Sequence, residues 1–386
     1  MNYTYLLIWG VAAVLFGAGV SAPTAALESR IFAFEALDDD VLRERVLALD
    51  GPVHPVYTAE VRRMIGDYVT VGYRETEQML GRAAVYFPLF EHYLYTYELP
   101  QALKYLPMVE SRLRPRAVSP AGATGLWQLM RGTAADAGLR MDYYVDERRD
   151  PQRSTEAALA YLRRQYARFG SWELALAAYN CGGGTVSRAI RRAGGERDFW
   201  KLKSYLPKET QHYLSRYLAA SYVAEHYYLH DIFPHYPSVE EQLTRTTRVY
   251  SQLSFRQLHT ITDAPIALLK QLNPAYRRAL VPQSKAGMLL HLPETAMQRL
   301  ERYRWEHPAH GIRCDLPAQP PVATAPTAGG TFKSTYRVVE GDRLDGLARL
   351  LELPEADILA WNGLTDGQLR PGQELVLYLP LSMLEQ

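Results

Sequence analysis

Residues 110–130 read ESRLRPRAVSPAGATGLWQLM, and this stretch is the most informative part of the chain. It places one carboxylate, Glu110, ahead of a Ser-Pro-Ala-Gly turn at residues 119–122 and a Gly-Leu-Trp-Gln run at residues 125–128. A carboxyl group positioned beside polar turn residues is a candidate for acid–base chemistry. The stretch therefore poses the question of what a single carboxylate can do without a partner.

Glu110 is predicted to lie near the C-terminus of a helix. Leu103, Leu106 and Glu110 follow Pro100 at helical spacing, with Pro107 interrupting the pattern. The negative end of the helix dipole disfavours an ionised carboxylate at this position, and apolar neighbours would disfavour it as well. We therefore predict that the pKa of Glu110 lies above the ordinary range for glutamate.

Two further helices are predicted downstream. Asp150 and Pro151 have the residue types of an N-cap and a first helical position. Ser171 has the residue type of an N-cap for the next helix, and Tyr179 falls on the apolar face of that helix. Asn180 would then lie at the helix end, shortly before a run of three glycines.

Length and composition exclude some classes of protein. The chain has 386 residues, 47% of them hydrophobic, which is enough for two or three domains. Lysine and arginine total 43 against 42 acidic residues, so no overall basic field points to nucleic acid, although a local basic patch is compatible with this balance. Histidines at positions 226, 230 and 235 lack the spacing of a metal site and are interpreted as part of a helix end. We predict no metal, no cofactor and no nucleic-acid partner.

The N-terminus carries the pattern of an export signal. Residues 5–20 are apolar and uncharged, and small residues follow at positions 21–26. A run of about sixteen residues is short for a membrane-spanning helix, so residues 1–26 are assigned to a signal peptide. Because residues 1–4 carry no lysine or arginine, membrane attachment through an uncleaved anchor is the alternative. No cysteine follows the run, so a lipoprotein is not predicted from this start codon, and the expected localisation is the periplasm or cell envelope.

The chain has only two cysteines, Cys181 and Cys314. In an oxidising compartment they would be able to form a disulfide between the Tyr179 region and the segment before the proline-rich linker. Two unpaired thiols, one beside the predicted active site and one exposed, are the alternative.

An internal repeat lies on either side of that linker. Residues 248–273 align without a gap with residues 337–362, since both ends give an offset of 89. Apolar positions, a proline and a final asparagine recur at this offset, and each copy closes in a strand-like run ending in Leu-Pro. Residues 315–334 are rich in proline, alanine and threonine, as is typical of a linker. Each copy is predicted to be a strand–helix–helix–strand module.

Four motifs, together with the opening stretch, resemble a known family. They are LPMVES at 106–111, DERRDP at 146–151, WELALAAYN at 172–180 and LPKET at 206–210. The chain resembles the SLT-type lytic transglycosylases of the lysozyme-like superfamily, and is closest to the D group of the membrane-bound murein transglycosylases. The resemblance implies that Glu110 is catalytic. It also implies a substrate-binding role for Ser111, Ser119, Gln128, Tyr179, Asn180 and Tyr213.

The implied chemistry explains why one carboxylate is sufficient. Lytic transglycosylases cleave the β-1,4 bond between N-acetylmuramic acid (MurNAc) and N-acetylglucosamine (GlcNAc) in peptidoglycan, and the C6 hydroxyl of MurNAc closes a 1,6-anhydro ring. Most glycosidases use two carboxylates, but an attack from within the same sugar needs no positioned water. The downstream acids Asp136, Asp142, Asp146 and Glu147 are interpreted as solvated or capping groups. The alternatives are a hydrolytic muramidase, which would need a second carboxylate, and a non-catalytic peptidoglycan-binding scaffold.

The second copy of the repeat resembles the LysM module over residues 336–375. LysM modules bind glycans that contain GlcNAc, so the resemblance implies peptidoglycan glycan strands as the partner. The first copy has Gln-Leu at positions 252–253 where the second has Gly-Asp, so it resembles a degenerate LysM with either a binding or a structural role. The implied glycan-binding residues are Gly341, Asp342, Leu344, Asn362 and Leu364.

These features predict a mainly α fold class: a lysozyme-like (α+β) catalytic domain followed by small βααβ LysM-type modules. The predicted boundaries are a signal or anchor at 1–26, a helical lead-in at 27–95, a lytic transglycosylase domain at 96–232, a degenerate LysM-like module at 244–295, a linker at 315–334 and a LysM domain at 335–380.

Overall fold

The computed structural model describes residues 22–316, 331–338, 342–351, 353–370 and 372–380. The apolar run at residues 5–20 therefore lies outside the described residues, as does most of the predicted linker. Among the residues that are described, no helix is both long enough and apolar enough to cross a membrane.

The lead-in is helical and shares its core with the domain that follows. Thr58 caps one of its helices by accepting a hydrogen bond from the backbone N–H of Val61 at 3.2 Å. Buried apolar side chains from Leu42 to Ile232 form one continuous cluster, so the lead-in and the predicted catalytic domain pack as one unit. The helices of the lead-in are α1 (Ala22–Glu35), α2 (Asp39–Leu47), α3 (Ala59–Val69) and α4 (Tyr73–Thr96).

The predicted catalytic domain is built from short helices around two longer ones. The N-caps predicted from sequence are confirmed: an Asp150 carboxylate oxygen accepts from the N–H of Arg153 at 2.8 Å, and Ser171 Oγ accepts from the N–H of Leu174 at 3.3 Å. The helices are α5 (Leu106–Ser111), α6 (Arg131–Asp136), α7 (Pro151–Phe169), α8 (Trp172–Cys181), α9 (Gly183–Arg192), α10 (Phe199–Leu202), α11 (Lys208–Gln211) and α12 (Tyr213–His226); α13 (Val239–Gln242) follows beyond the predicted domain boundary.

Between α5 and α6 the chain forms a small β-like loop. Thr124 forms antiparallel bridges with both Val118 and Leu129, so the chain folds back on itself twice within a few residues. A further bridge joins Met141 to Asp146. These bridges supply the β component that the lysozyme-like fold class implied.

The first copy of the repeat has the predicted strand–helix–helix–strand order, with two additional two-residue strands and one additional helix. Its outer strands are antiparallel, with Thr244 opposite Pro293 and Val249 opposite Met288. The added helix α16 continues past the predicted end of the module at residue 295, because Met297 and Leu300 complete its apolar core. The elements are β1 (Thr244–Val249), β2 (Leu253–Ser254), α14 (Phe255–Thr262), α15 (Ile266–Leu272), β3 (Leu280–Val281), β4 (Met288–Pro293) and α16 (Glu294–Glu306).

The second copy also follows the predicted strand–helix–helix–strand order. Its two strands are antiparallel, and Arg337 lies opposite Glu374. The first strand begins at Thr331, so the last residues assigned to the linker instead pair with the final strand. The elements are β5 (Thr331–Arg337), α17 (Leu344–Leu351), α18 (Glu355–Asn362) and β6 (Glu374–Pro380).

Backbone hydrogen bonds join the first copy to the helical domain. The N–H of Asp146 donates to the carbonyl of Ala275 at 3.0 Å, and the N–H of Arg277 donates to the carbonyl of Tyr144 at 2.8 Å. A strand-like pairing of this kind fixes the register between the two segments. The first copy is therefore docked on the helical domain at the loop before α7.

Candidate active site

Glu110 lies in the last turn of α5, as the sequence predicted, but the helix is built differently. A 3₁₀ turn at Gln101–Tyr105 precedes α5, and Pro107 is the second residue of α5. A proline at this position costs no backbone hydrogen bond, because the first N–H groups of a helix have no partner within it. Pro107 therefore starts a helix instead of interrupting one. Arg112, with φ of 52°, ends it in the left-handed conformation.

The carboxyl group of Glu110 is held by a tyrosine. Tyr213 Oη, at the start of α12, donates a hydrogen bond to Glu110 Oε1. The pKa of Glu110 is raised to about 7, chiefly by burial; the Tyr213 hydrogen bond and the charge of Arg216 oppose this rise, and the negative charge of Glu209 contributes to it. The shift has the direction predicted from the sequence. A carboxyl group with a pKa near neutral can both give and take a proton.

A buried tryptophan anchors the Gly-Leu-Trp-Gln run that follows Glu110. Trp127 is fully buried, its indole N–H donates to Thr155 Oγ1 at 2.9 Å, and its ring meets Phe90 edge to face with centroids 5.1 Å apart. Its carbonyl oxygen accepts a hydrogen bond from Tyr179 Oη at 2.6 Å. Burial and the nearby charge of Glu110 raise the pKa of Tyr179 well above its usual value, so its hydroxyl remains a donor.

Three of the predicted substrate-binding residues hold the loop between α5 and α6. Ser111 Oγ is buried and donates to the carbonyl of Leu126 at 2.8 Å. Ser119 Oγ accepts from the N–H of Ala123 at 3.0 Å, closing the predicted turn. The structure thus gives Ser111 and Ser119 tasks within the protein, and these contacts set the shape of the loop beside Glu110.

Gln128 is the third of these residues and has an unusual backbone. Its φ is 47°, which is uncommon for a residue other than glycine. Its Nε2 donates to the carbonyl of Gly125 at 2.9 Å and lies 3.3 Å from that of Ala117. Left-handed residues of this kind concentrate at functional sites. The partly buried side chain therefore lies in a strained loop, directly after Trp127.

Asn180 has a partner that the sequence reasoning missed. Its Oδ1 accepts a hydrogen bond from Thr210 Oγ1 at 2.7 Å. Thr210 is fully buried on α11, within the LPKET motif that indicated only the family. The motif was the one feature of the sequence that could have pointed to Thr210 as part of the site. Since the amide oxygen of Asn180 is engaged, its orientation at the end of α8 is fixed.

The acidic residues considered from sequence are largely structural, as interpreted. Asp142 accepts from the N–H groups of Tyr144 and Val145, each at 2.8 Å. Asp146 is buried and paired with Arg148 at 2.9 Å. None of these contacts places a second carboxylate beside Glu110.

Glu209 is the carboxylate that the sequence reasoning overlooked. Its charge raises the pKa of Glu110, and its own side chain faces solvent 3.9 Å from Arg216. Glu209 also lies in the LPKET motif, one residue before Thr210. Because its charge acts on Glu110, it is the first candidate for a second acid in a two-carboxylate mechanism.

The two cysteines do not form a disulfide, and the histidines at positions 226 and 230 contact Tyr222. Cys181 and Cys314 are both free, and Cys314 is buried in the core of the first module. His230 Nε2 lies 2.9 Å from Tyr222 Oη, and burial lowers the pKa of His230 to about 4. Within the described part of the chain, no group of three or more histidine, cysteine or acidic side chains is arranged to hold a metal ion.

The recurring asparagine of the repeat has the same structural role in both copies. Asn362 Oδ1 accepts from the N–H of Val376 at 2.6 Å, and Asn362 Nδ2 donates to the carbonyl of Val376 at 2.8 Å. Asn273 makes the same pair of bonds to His291, at 2.8 and 2.7 Å. Each asparagine thus ties the second helix of its module to the last strand.

The other predicted LysM residues are placed as follows. Leu344 is buried in the core of the second module, and Leu364 packs against that core. Asp342 accepts a hydrogen bond from Tyr336 Oη at 2.6 Å. Gly341 lies outside the described residues.

The pKa of Glu110 predicts a pH dependence. A general acid must be protonated in the free enzyme, so we expect kcat/KM to fall as pH rises through about 7. Because the Tyr213 hydrogen bond lowers this pKa, Tyr213→Phe should move the descending limb to higher pH. Rates of peptidoglycan solubilisation measured between about pH 5 and 9 test both statements. A wild-type profile without a fall in this range, or a downward shift in Y213F, would contradict the assignment.

Family models match most of the region described above. Residues 89–202 match the transglycosylase SLT domain, residues 243–304 match the "Lytic transglycosylase MltD, LysM-like domain", and residues 336–377 match the LysM domain. The chain thus carries an SLT-type transglycosylase domain, an MltD-type LysM-like domain and a LysM domain, as the sequence motifs predicted.

The chain is similar to individual lytic transglycosylases over part of its length. It is 28% identical over 284 residues to the membrane-bound lytic murein transglycosylase D of Escherichia coli (strain K12), covering 72% of this chain and 60% of that protein. It is 38% identical over 110 residues to a membrane-bound lytic murein transglycosylase F of Alcanivorax borkumensis, covering 25% of this chain and 22% of that protein. The 70 kDa soluble lytic transglycosylase of E. coli aligns with a TM-score of 0.33 at 21% identity, over 56% of this chain and 37% of that one.

Proposed function

We propose that this protein is a peptidoglycan lytic transglycosylase that cleaves the MurNAc–GlcNAc β-1,4 bond and leaves 1,6-anhydro-MurNAc ends. The observation that carries the proposal is Glu110, a partly buried carboxyl group with a pKa of about 7 that is hydrogen-bonded by Tyr213 within an SLT-type domain. A group with this pKa is suited to act first as an acid and then as a base.

In the proposed reaction Glu110 serves both proton transfers. Its protonated carboxyl group gives the proton to the glycosidic oxygen, and the bond from that oxygen to C1 of MurNAc breaks. The resulting carboxylate takes the proton of the C6 hydroxyl while the C6 oxygen bonds to C1. Glu110 ends protonated and no water is consumed. Throughout, the hydroxyl of Tyr213 stabilises the carboxylate form by donating to it.

The surrounding residues would position the sugar. Asn180, held through its oxygen by Thr210, is proposed to present its amide N–H groups to the substrate. Gln128, Tyr179 and Ser119 are proposed to line the same cleft, and Ser111 to act by fixing the loop. The LysM domain is proposed to keep the enzyme on glycan strands, in the periplasm or cell envelope, with residues 1–26 as its export signal or membrane anchor.

Product analysis tests the proposal against its alternatives. Purified protein is incubated with intact sacculi, and the released muropeptides are analysed by mass spectrometry. We expect anhydro-ended products, about 18 Da lighter than those with reducing ends because no water is added. Reducing ends would indicate a hydrolytic muramidase that uses Glu209 or another acid, and no release at all would indicate a non-catalytic scaffold.

A further inference from the structure

Four arginines meet where the first repeat module docks on the helical domain. They surround a cavity of about 450 Å³, together with the aromatic rings of Tyr143 and Tyr276. Two of the arginines come from the helical domain and two from the loop after α15. The lining arginines are Arg116, Arg149, Arg277 and Arg278. Neither the domain nor the module forms this cavity alone.

These arginines contact backbone carbonyls and an aromatic ring, and none of the contacts is an ion pair with a carboxylate. Arg116 donates to the carbonyl of Lys270 at 2.6 Å, and Arg277 donates to that of Asp142 at 3.1 Å. Arg278 stacks over the ring of Tyr143, with 4.2 Å from its guanidinium carbon to the ring centroid. Among the residues that the structure describes, no acidic side chain forms an ion pair with any of the four arginines.

Arg149 is the most unfavourably placed of the four. Its Nε is buried and has no hydrogen-bond partner within the described part of the chain. Burial and the charges of Arg277 and Arg116 lower its pKa, although Asp146 opposes this. The carboxylate of Asp146 already binds Arg148 through both oxygens, each at 2.9 Å. Arg149 as a whole is only partly buried, but a buried Nε–H without a partner is costly, and an anion bound to the accessible end of the guanidinium would offset the burial of its charge.

We propose that this arginine cluster binds the carboxylate groups of peptide stems carried by the glycan strand in the catalytic cleft. The inference rests on the proposed function. Guanidinium groups match carboxylates in geometry and bind them through paired, charge-assisted hydrogen bonds. Peptide stems are the carboxylate-bearing part of peptidoglycan, whereas the uncharged GlcNAc residues offer only hydroxyl and acetamido groups.

The position of the cluster supports a ligand that reaches out from the active site. Arg116 lies on the loop that follows Glu110, next to Ala117, whose carbonyl oxygen lies 3.3 Å from Gln128 Nε2. The pairing of Asp146 with Ala275 holds Arg277 and Arg278 against the loop before α7, and the hydrogen bond from Arg116 to the carbonyl of Lys270 joins the loop after Glu110 to the same module. A stem attached to a sugar near Gln128 therefore has a short path to the cluster.

The cluster also explains what the degenerate first copy does. The first module would add two guanidinium groups to a site that binds peptide stems. This role requires the module to dock on the helical domain, but it does not require the module to bind sugar. A polyphosphate ligand such as nucleic acid is less well matched, because the net charge of the whole chain is only +1 and the positive charge is confined to a single cavity.

A binding experiment tests the proposal without any turnover. The full chain carrying Glu110→Gln is titrated with soluble glycan strands that bear peptide stems, and with strands from which an amidase has removed the stems and whose freed lactyl carboxylates have then been capped as methylamides. The test variant adds Arg277→Ala and Arg278→Ala, both exposed residues. The matched control adds Arg256→Ala, an exposed arginine on α14 of the same module. Inorganic phosphate is titrated as a competitor in each case.

The expected results separate the possible sources of binding. For stem-bearing strands, the R277A/R278A protein should bind at least about tenfold more weakly than the R256A protein. For stem-free strands, the two should bind equally. The proposal is overturned if the R277A/R278A protein binds stem-bearing strands as tightly as the control does, or if its affinity for both kinds of strand falls equally. It is also overturned if low millimolar phosphate displaces the strands and stem-bearing strands bind no more tightly than stem-free ones. If neither strand binds even the control, the proposed function fails as well.

Discussion

Glu110→Gln should lower the rate of peptidoglycan solubilisation by roughly 10³-fold, because general acid–base catalysis by a positioned side chain typically contributes about 10² to 10⁴. Here the same carboxyl group carries both proton transfers, so the loss should lie well above the lower end of that range. The glutamine keeps the size of the side chain and can still accept the hydrogen bond from Tyr213. Loss of activity would thus report the missing proton. Release of soluble muropeptides from sacculi, followed over time, measures the effect.

The matched control for this change is Glu209→Gln. Glu209 is exposed, and its charge acts on Glu110 by raising its pKa. Its replacement should leave the maximal rate within about threefold of wild type and move the descending limb of the pH profile to lower pH. A loss in E209Q comparable with that in E110Q would show that two carboxylates are required, and the single-carboxylate mechanism would then be wrong.

The same substitution has a consequence for stability. The folded-state pKa of Glu110 lies above the ordinary value for glutamate, so folding binds a proton between pH 4.5 and about 7 and becomes less favourable as pH rises through this range. Glutamine removes this dependence. The E110Q protein should therefore unfold at a higher temperature than wild type at pH 8, whereas the difference contributed by ionisation should vanish below about pH 4.

Features that depend on short spacing were accessible from the sequence. The N-caps Asp150 and Ser171 follow from residue type and the apolar face behind them. The burial of Glu110 at a helix end follows from a few residues before it. The two modules follow from a gapless repeat, because local helix and strand patterns survive where side-chain chemistry has changed.

Features that depend on distant contacts were not accessible. Thr210 meets Asn180 from 30 positions away, and nothing in the spacing of either motif indicates the pairing. The asparagine of the repeat fits a sugar contact and a backbone clamp equally well by residue type; only its position against β6 identifies the clamp. The arginine cluster needs the docking of the first module, which is fixed by backbone hydrogen bonds that carry no signature in side chains.

Gly125→Ala is expected to damage both stability and activity severely. Gly125 has φ of 90°, and a Cβ atom at this position would lie 1.8 Å from the carbonyl oxygen of Arg148. That carbonyl cannot easily move, because the Arg148 side chain is bound to both oxygens of Asp146 and donates to the carbonyl of Gly122 at 3.0 Å. We expect a loss of at least about 3 kcal/mol in the free energy of unfolding, from backbone strain and displacement of packed segments.

The damage should reach activity before it reaches the fold as a whole. Gly125 accepts a hydrogen bond from Gln128 and precedes the tryptophan whose carbonyl binds Tyr179, so a displaced Gly125 moves the loop beside Glu110. Thermal unfolding and sacculus digestion measure the two effects in one preparation. Gly132→Ala is the control: Gly132 is exposed on α6, and a Cβ atom there would meet no other atom within 4 Å, so alanine should stabilise the protein by about 0.5 to 1 kcal/mol. If G125A melts and cleaves like G132A, the loop tolerates the added atom, and the close packing of Gly125 against Arg148 does not position the active site.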